Sequence, residues 1–352
     1  MGELGVGGEG MGGGIGSEDE LDERLSEPSL AVMEALRGLD SDLLILGAGG
    51  KMGPTLARMA ARALREIGSP YAVVGVSRFS QPGAREQLEG WGVRTLACDL
   101  LDRAAVAALP DSRNIVYMVG QKFGTTTNAP LTWALNTYAP ALVVERFPDA
   151  RIVVFSTGNV YPFTPVVEGG SQEDDALGPV GEYAASCVGR ERIFAYFSQR
   201  VDLRCAIVRL NYAIALRYGV LVDIARHVLA QEPVDVTMGA VNVIWQGDAN
   251  AQALALLPHC ATPPFVLNVT GPETVSVRRV AERFGRIFDV PVTFTGAESP
   301  LALLSHTAKS QQLFGYPRVT LDQMIAWTAA WVQQGGPFLD KPTHFETRDG
   351  RY

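Results

Sequence analysis

Leu43-Leu44-Ile45-Leu46-Gly47-Ala48-Gly49-Gly50-Lys51-Met52-Gly53-Pro54 decides how this chain is read. Four aliphatic residues without a polar interruption have the pattern of a strand buried on both faces. Glycines follow at 47, 50 and 53, and from Pro54 to Ile67 the residues Leu56, Met59, Ala63 and Leu64 recur on one helical stripe. One glycine permits a tight turn, one lets the backbone approach a pyrophosphate, and one lets helix and strand pack closely. The helix N-terminus offers phosphate its unpaired N–H groups and the positive end of its dipole. On this reading Gly47, Gly49, Gly50, Lys51, Met52 and Gly53 form a cofactor loop. A plain glycine-rich turn would show the same letters. The strand before it and the helix after it favour the binding loop.

Outward from this stretch, apolar runs alternate with helical patterns. Strands are expected at Tyr71–Ser77, Val93–Ala97, Ile115–Val119, Ile152–Phe155 and Cys205–Val208. Buried strands separated by helices predict an α/β fold, a doubly wound parallel sheet of Rossmann type, with a smaller C-terminal substrate domain. Residues 1–16 hold nine glycines and are expected to be a disordered tail. An N-terminal helical extension is expected over 17–40. Ser17 and Glu20 are spaced as a capping box for its first helix, and Pro28 to Arg37 reads as a second helix, ended by Gly38. Both are expected to pack outside the nucleotide domain. That domain is read over 41–211, with return strands at about 241–270. The smaller domain takes 212–240 and 271–352.

The chain has 352 residues, 47% hydrophobic and 19% charged, a globular balance with ample material for a core. A net charge of −8 argues against nucleic acid as a general partner. Cys98, Cys187, Cys205 and Cys260 form no Cys-x-x-Cys pair and the four histidines are scattered, so no metal site is expected. Sparse cysteines, no bilayer-length apolar segment and no basic-then-apolar leader together predict a cytoplasmic protein away from membranes.

The end of the second strand bears on the cofactor. An Asp or Glu there holds the ribose hydroxyls of NAD. This chain has Gly75-Val76-Ser77-Arg78. Arg78 suits a 2′-phosphate, Ser77 offers a hydrogen bond and Lys51 adds charge. NADP is the expected cofactor, with NAD second.

From about Asp42 onward the chain resembles the extended short-chain dehydrogenase/reductases, specifically the NAD(P)-dependent epimerase/dehydratase group that acts on sugars. Gly47–Gly53 is similar to that family's Gly-x-x-Gly-x-x-Gly loop. Asp99-Leu100-Leu101-Asp102 resembles its Asp-Leu-x-Asp after the third strand, which implies Asp99 and Leu100 at the adenine. Val119-Gly120 end the fourth strand in place of the usual Ala-rich pair, and are read as cofactor contacts. Asn136 matches an Asn in the middle of the following helix. Phe155-Ser156-Thr157-Gly158-Asn159-Val160-Tyr161 resembles the strand carrying the catalytic Ser or Thr, matched here by Thr157. Arg209-Leu210-Asn211-Tyr212, Val243-Ile244-Trp245-Gln246-Gly247-Asp248 and Asn268-Val269-Thr270-Gly271 resemble later segments. The resemblance implies an enzyme that moves hydride to or from a sugar or nucleotide-sugar hydroxyl, and a homodimer built on helices flanking the sheet.

One departure stands out. The family pairs Tyr-x-x-x-Lys on one helix face, where the Lys lowers the Tyr pKa and holds the nicotinamide ribose. Here the segment is Tyr183-Ala184-Ala185-Ser186-Cys187. Three readings stay open. Another cation substitutes: Lys122, just past the fourth strand, or Arg190, seven residues beyond Tyr183 on the same helical face. Tyr183, also read as a cofactor contact, works with Thr157 alone. Or the chain binds cofactor without catalysis, as a regulatory subunit. Cys187 as a redox nucleophile is disfavoured, since a buried helical thiol without a basic neighbour is inert packing. Arg209, Arg217 and Arg226 are candidates for a substrate phosphate. Trp245 is assigned to the core, and residues 344–352 carry no assigned role.

Overall fold

The computed structural model describes residues 14–351 apart from 123, 126, 340 and 342. Strands β1 (Leu43–Leu46), β2 (Val73–Ser77), β3 (Arg94–Ala97), β4 (Asn114–Tyr117), β5 (Arg151–Thr157), β6 (Arg204–Leu210) and β7 (Phe265–Val269) form one sheet. Its order is β7-β6-β5-β4-β1-β2-β3 and every pairing is parallel. The chain winds outward from β1 through β2 and β3, then returns to β4 on the other side. That reversal opens a crevice at the C-terminal ends of β1 and β4.

Helices are α1 (Glu18–Leu25), α2 (Leu30–Arg37), α3 (Gly53–Glu66), α4 (Ala84–Gly90), α5 (Arg103–Ala107), α6 (Ala129–Trp133) and α7 (Ala139–Arg146). After them come α8 (Gly181–Val201), α9 (Val220–Leu229), α10 (Gln246–Ala255), α11 (Val277–Phe288), α12 (Ala308–Phe314) and α13 (Leu321–Gln333). Side chains alternate along a strand. Leu43 and Ile45 therefore face α2, α3 and α10, while Leu44 and Leu46 face α5, α7 and α8. Both faces are covered, so all four residues of β1 are buried.

A second core gathers α9, α11 and α13 with residues 214–243, and Trp245 packs edge-on against Trp327 there. Three expectations are corrected. Ile15 is buried in this second core and its carbonyl accepts from Gln334 Nε2 at 3.1 Å, so order includes Gly14–Gly16. Residues 1–13 of the expected tail lie outside the described residues. Second, α1 does not merely lie on the nucleotide domain: Leu21 and Leu25 are fully buried in the second core, whereas Val32 and Leu36 of α2 pack beside the sheet. Third, 241–257 does not return to the central sheet. Ile244–Trp245 pairs only with Ala213–Ile214, and the next ten residues form α10. Every residue of α10 is buried, between α2 and α3 among others. A helix buried all round has no polar face, so its 3.6-residue period is hidden.

Truncating Leu21 to Ala removes buried methyls from that core and is expected to cost about 2–5 kcal/mol in urea unfolding. A loss below about 1 kcal/mol would mean that α1 only rests on the surface.

Candidate functional site

The glycine loop is built by three close approaches. Gly47 leaves β1 at φ +97°, and a Cβ there would lie 3.0 Å from Val119 Cγ2, where β4 exits. A Cβ at Gly53 would stand 2.5 Å from the Ala48 carbonyl oxygen, so α3 starts hard against the loop. A Cβ at Gly49 would meet Ser77 Oγ at 2.6 Å, which joins the loop to the end of β2. Gly50 N–H donates to the Gly47 carbonyl at 3.0 Å, closing the turn. Met52 caps α3 without a side-chain hydrogen bond, and the first turn carries no acid. A helix N-terminus with its donors left open and no competing carboxylate fits a phosphate.

Neighbouring strand ends complete the crevice. Ser77 is half-buried and Arg78 is exposed at the end of β2. Asp99 is exposed after β3 and accepts from Leu101 N at 3.0 Å, while Leu100 is buried. Val119 and Gly120 follow β4. The residues expected at the cofactor thus share one edge of the sheet.

The groups expected to react lie beside that edge. A cleft of about 120 Å³ is walled by Lys51, Lys122, Thr157, Tyr183, Tyr218 and Thr343, among others. A larger hollow of about 560 Å³, lined by α9 and by Lys341, Phe345 and Glu346, has neither Tyr183 nor Thr157 in its wall. Chemistry, not volume, marks the smaller one. Thr157 ends β5 and accepts from Asn159 N at 3.2 Å. Tyr183, in the first turn of α8, hydrogen-bonds Thr157 and also Cys187 one turn on. Burial pushes the Tyr183 phenol well above its usual range, and Cys187 pushes the same way. Arg190 and the Thr157 hydrogen bond pull it back.

Cys187 itself is fully buried against Val160 and Tyr161, and burial pushes its thiol up. Lys122 Nζ donates to the Thr343 carbonyl at 3.1 Å. Burial pushes Lys122 down to about 8, with Asp223 and Glu346 acting against it. Lys51 Nζ sits 3.5 Å above the Tyr218 ring. Lys51 is exposed on the cleft wall, yet burial by the surrounding protein, and then Lys122, hold its pKa well below the usual lysine value.

Two arginines singled out for a substrate phosphate are already engaged. Arg209 is buried in an ion pair with Glu191 at 2.8 Å, and Arg217 pairs with Asp22 and Glu18 of α1. Both are held by carboxylates that sequence distance concealed. Arg226 lies over the Phe338 ring. Sequence reading missed Asp223, Tyr218 and Thr343. Thr343 N and Oγ1 donate to Asp223 Oδ2 at 2.9 and 2.6 Å, which lays the C-terminal segment across the cleft. No motif announces this contact, because it joins residues far apart in sequence.

Residues 43–239, more than half of the chain, match the model of the NAD dependent epimerase/dehydratase family. The chain belongs to that family, whose members are enzymes. No curated protein sequence matches it. Among solved structures, a UDP-glucuronic acid 4-epimerase from Bacillus cereus, in complex with NAD, is 17% identical with TM-score 0.70, covering 83% of this chain and 99% of its own. The dTDP-glucose 4,6-dehydratase DesIV from Streptomyces venezuelae, with NAD bound, is 18% identical with TM-score 0.69, covering 84% and 97%. A UDP-glucose 4-epimerase from Thermotoga maritima is 14% identical with TM-score 0.67, covering 83% and 99%. At such identities the likeness is one of fold. In this epimerase/dehydratase family member Tyr183 is hydrogen-bonded to Thr157, and Cys187 stands one helical turn on. Among the described residues no helix is long and apolar enough to cross a membrane, and no cluster of His, Cys, Asp and Glu is placed to hold a metal.

All four cysteines are buried. A disulfide-exchange reagent at pH 8 is expected to titrate none rapidly in the native protein and all four after denaturation. Fast reaction of one thiol, lost in Cys187→Ser, would give Cys187 a chemical role.

Proposed function

We propose that this family member is an NAD(P)-dependent oxidoreductase, epimerase or dehydratase acting on a sugar or nucleotide-sugar hydroxyl. The observation that carries the reading is the Tyr183–Thr157 hydrogen bond in a cleft bordered by the glycine loop. The residues around the loop suit a dinucleotide, with Gly47, Gly49, Gly50, Lys51, Met52 and Gly53 at the pyrophosphate and Asp99, Leu100, Val119 and Gly120 along the crevice. When bound, that cofactor supplies a hydride acceptor or donor. Thr157 holds the reacting oxygen and Tyr183 moves its proton. Burial keeps Tyr183 protonated at neutral pH, so it is poised as a proton donor to a carbonyl oxygen. Lys122 offers the same oxygen a positive charge from the cleft wall.

Tyr183→Phe and Thr157→Ala are each expected to lower kcat by about 10²–10⁴-fold on a sugar substrate, with little change in KM. Lys122 is charged below its pKa of about 8 and neutral above it. Its contribution should fade as pH rises through about 8, and Lys122→Met should flatten that fall. Cofactor binding without turnover of any sugar would leave a catalytically silent nucleotide-binding protein.

NADP is the proposed cofactor, because β2 ends in an exposed Arg78 rather than an acid. Fluorescence titration with NADP, NADPH, NAD and NADH tests it. The phosphorylated forms should bind at least about tenfold more tightly, and Arg78→Ala should erase that ratio, a change of about 1.4 kcal/mol. A preference for NAD that survives the substitution would assign the site to NAD.

A further inference from the structure

We propose that Arg190 is the fixed cation behind the Tyr183 hydroxyl, a positioning residue that eases loss of its proton. Arg190 lies seven residues beyond Tyr183 on α8, about two helical turns, and so on the same face. It is 5% exposed. Its Nη1 donates to the Phe155 carbonyl at 2.7 Å and its Nη2 to Asn136 Oδ1 at 2.5 Å. Its Nε has no hydrogen-bond partner among the described residues, and no carboxylate pairs with it there. The adjacent Glu191 is taken by Arg209 and Ser156. Arg190 is therefore a buried charge held only by neutral acceptors. Such a charge is costly to bury, and its field is little screened.

The guanidinium is also held in one place. It fills the space that a Cβ at Gly120 would need. It is bonded to β5, the strand that carries Thr157. Asn136 passes the restraint on: its Nδ2 donates to Ser186 Oγ at 2.8 Å, and Ser186 Oγ donates to the Tyr183 carbonyl at 2.8 Å. Asn136 sits in a π-helical turn, Ala134–Tyr138, and also accepts from Gln121 N at 3.1 Å. One network therefore joins the charge, the strand end and the tyrosine backbone.

The groups around Tyr183 are Cys187 and Arg190 from α8, Thr157 from β5, Lys122 after β4, Lys51 from the glycine loop and Tyr218 across the cleft. Among the influences acting on the phenol, Arg190 is the cation that lowers its pKa. Lys122 discharges near pH 8, whereas a guanidinium stays charged at every working pH. Only the arginine gives Tyr183 a constant field. The proposal rests on Tyr183 as the proton-transfer group.

The test needs no substrate. The full chain is labelled with a fluorinated tyrosine, whose phenol is more acidic, and titrated by fluorine NMR. Loss of one resonance in Tyr183→Phe assigns the signal. In Arg190→Met its midpoint should rise by about one pH unit or more, a tenfold loss in the ionisation constant. Arg190→Lys should keep it close to the parent, and Lys122→Met should move it less than Arg190→Met does. An unmoved midpoint in Arg190→Met, or a larger shift in Lys122→Met, overturns the proposal. Should Arg190→Met fail to fold, Asn136→Asp places a carboxylate on the guanidinium. A raised midpoint there supports the proposal and an unchanged one overturns it. A shifted midpoint in a protein without turnover would remove the enzymatic reading and keep this one. Turnover abolished by Tyr183→Phe with no Arg190 effect would do the reverse.

Discussion

A buried ion pair, Arg209 with Glu191, holds together the face that carries Tyr183 and Thr157. Arg209 comes from β6 and Glu191 from α8, and each is 5% exposed. Arg209 Nη1 also donates to the Tyr161 hydroxyl and to the Glu173 carbonyl, at 2.7 and 2.9 Å. Glu191 accepts from Ser156 Oγ at 2.5 Å. Tyr161 donates in turn to Asn268 Oδ1 on β7, and Asn268 Nδ2 donates to the carbonyls of Ser171 and His306. Removing one partner of such a pair strands the other charge, at about 3–5 kcal/mol. The pair matters less for net stability than for register. It pins the helix carrying Tyr183 to β6, and the Ser156 hydrogen bond to Glu191 ties the same helix to β5, the strand that carries Thr157.

The second constraint is close backbone approach at the sheet edge. Gly47 and Gly53 remove the side chains that would part β1, β4 and α3, so the strand ends converge on one crevice. A single edge then carries both the glycine loop and the Thr157 hydroxyl. Packing on both faces makes that edge rigid: the strands are buried above and below, and small shifts are resisted by a dense core.

The cleft is crowded with charge. Lys51, Lys122 and Asp223 share its walls or border, and Arg190 lies behind it. Cys187, one turn beyond Tyr183, is a buried thiol, and the nearby positive charge sits instead on Lys51, Lys122 and Arg190. The C-terminal segment adds the last wall through Thr343, which both Lys122 and Asp223 hold.

Much of this was legible in the residues. The Leu43–Gly53 pattern dictates a buried strand, a turn that excludes side chains and an open helix N-terminus, because each is a local demand of backbone geometry. Six of the seven central strands were visible as apolar runs before residue 212, within a few residues at their ends, and the seventh, Phe265–Val269, falls inside the return strands expected at about 241–270. Thr157 and Tyr183 were matched to one site through the resemblance to the epimerase/dehydratase family, and the hydrogen bond between them brings them together. The helix α10 was not legible, since uniform burial erases its period. Nor were the partners of Arg209 and Arg217, the docking of α1 into the second core, or Thr343 across the cleft. Those pairings join residues far apart in the chain, and only the tertiary packing that brings them into contact selects one partner among many carboxylates and carbonyls.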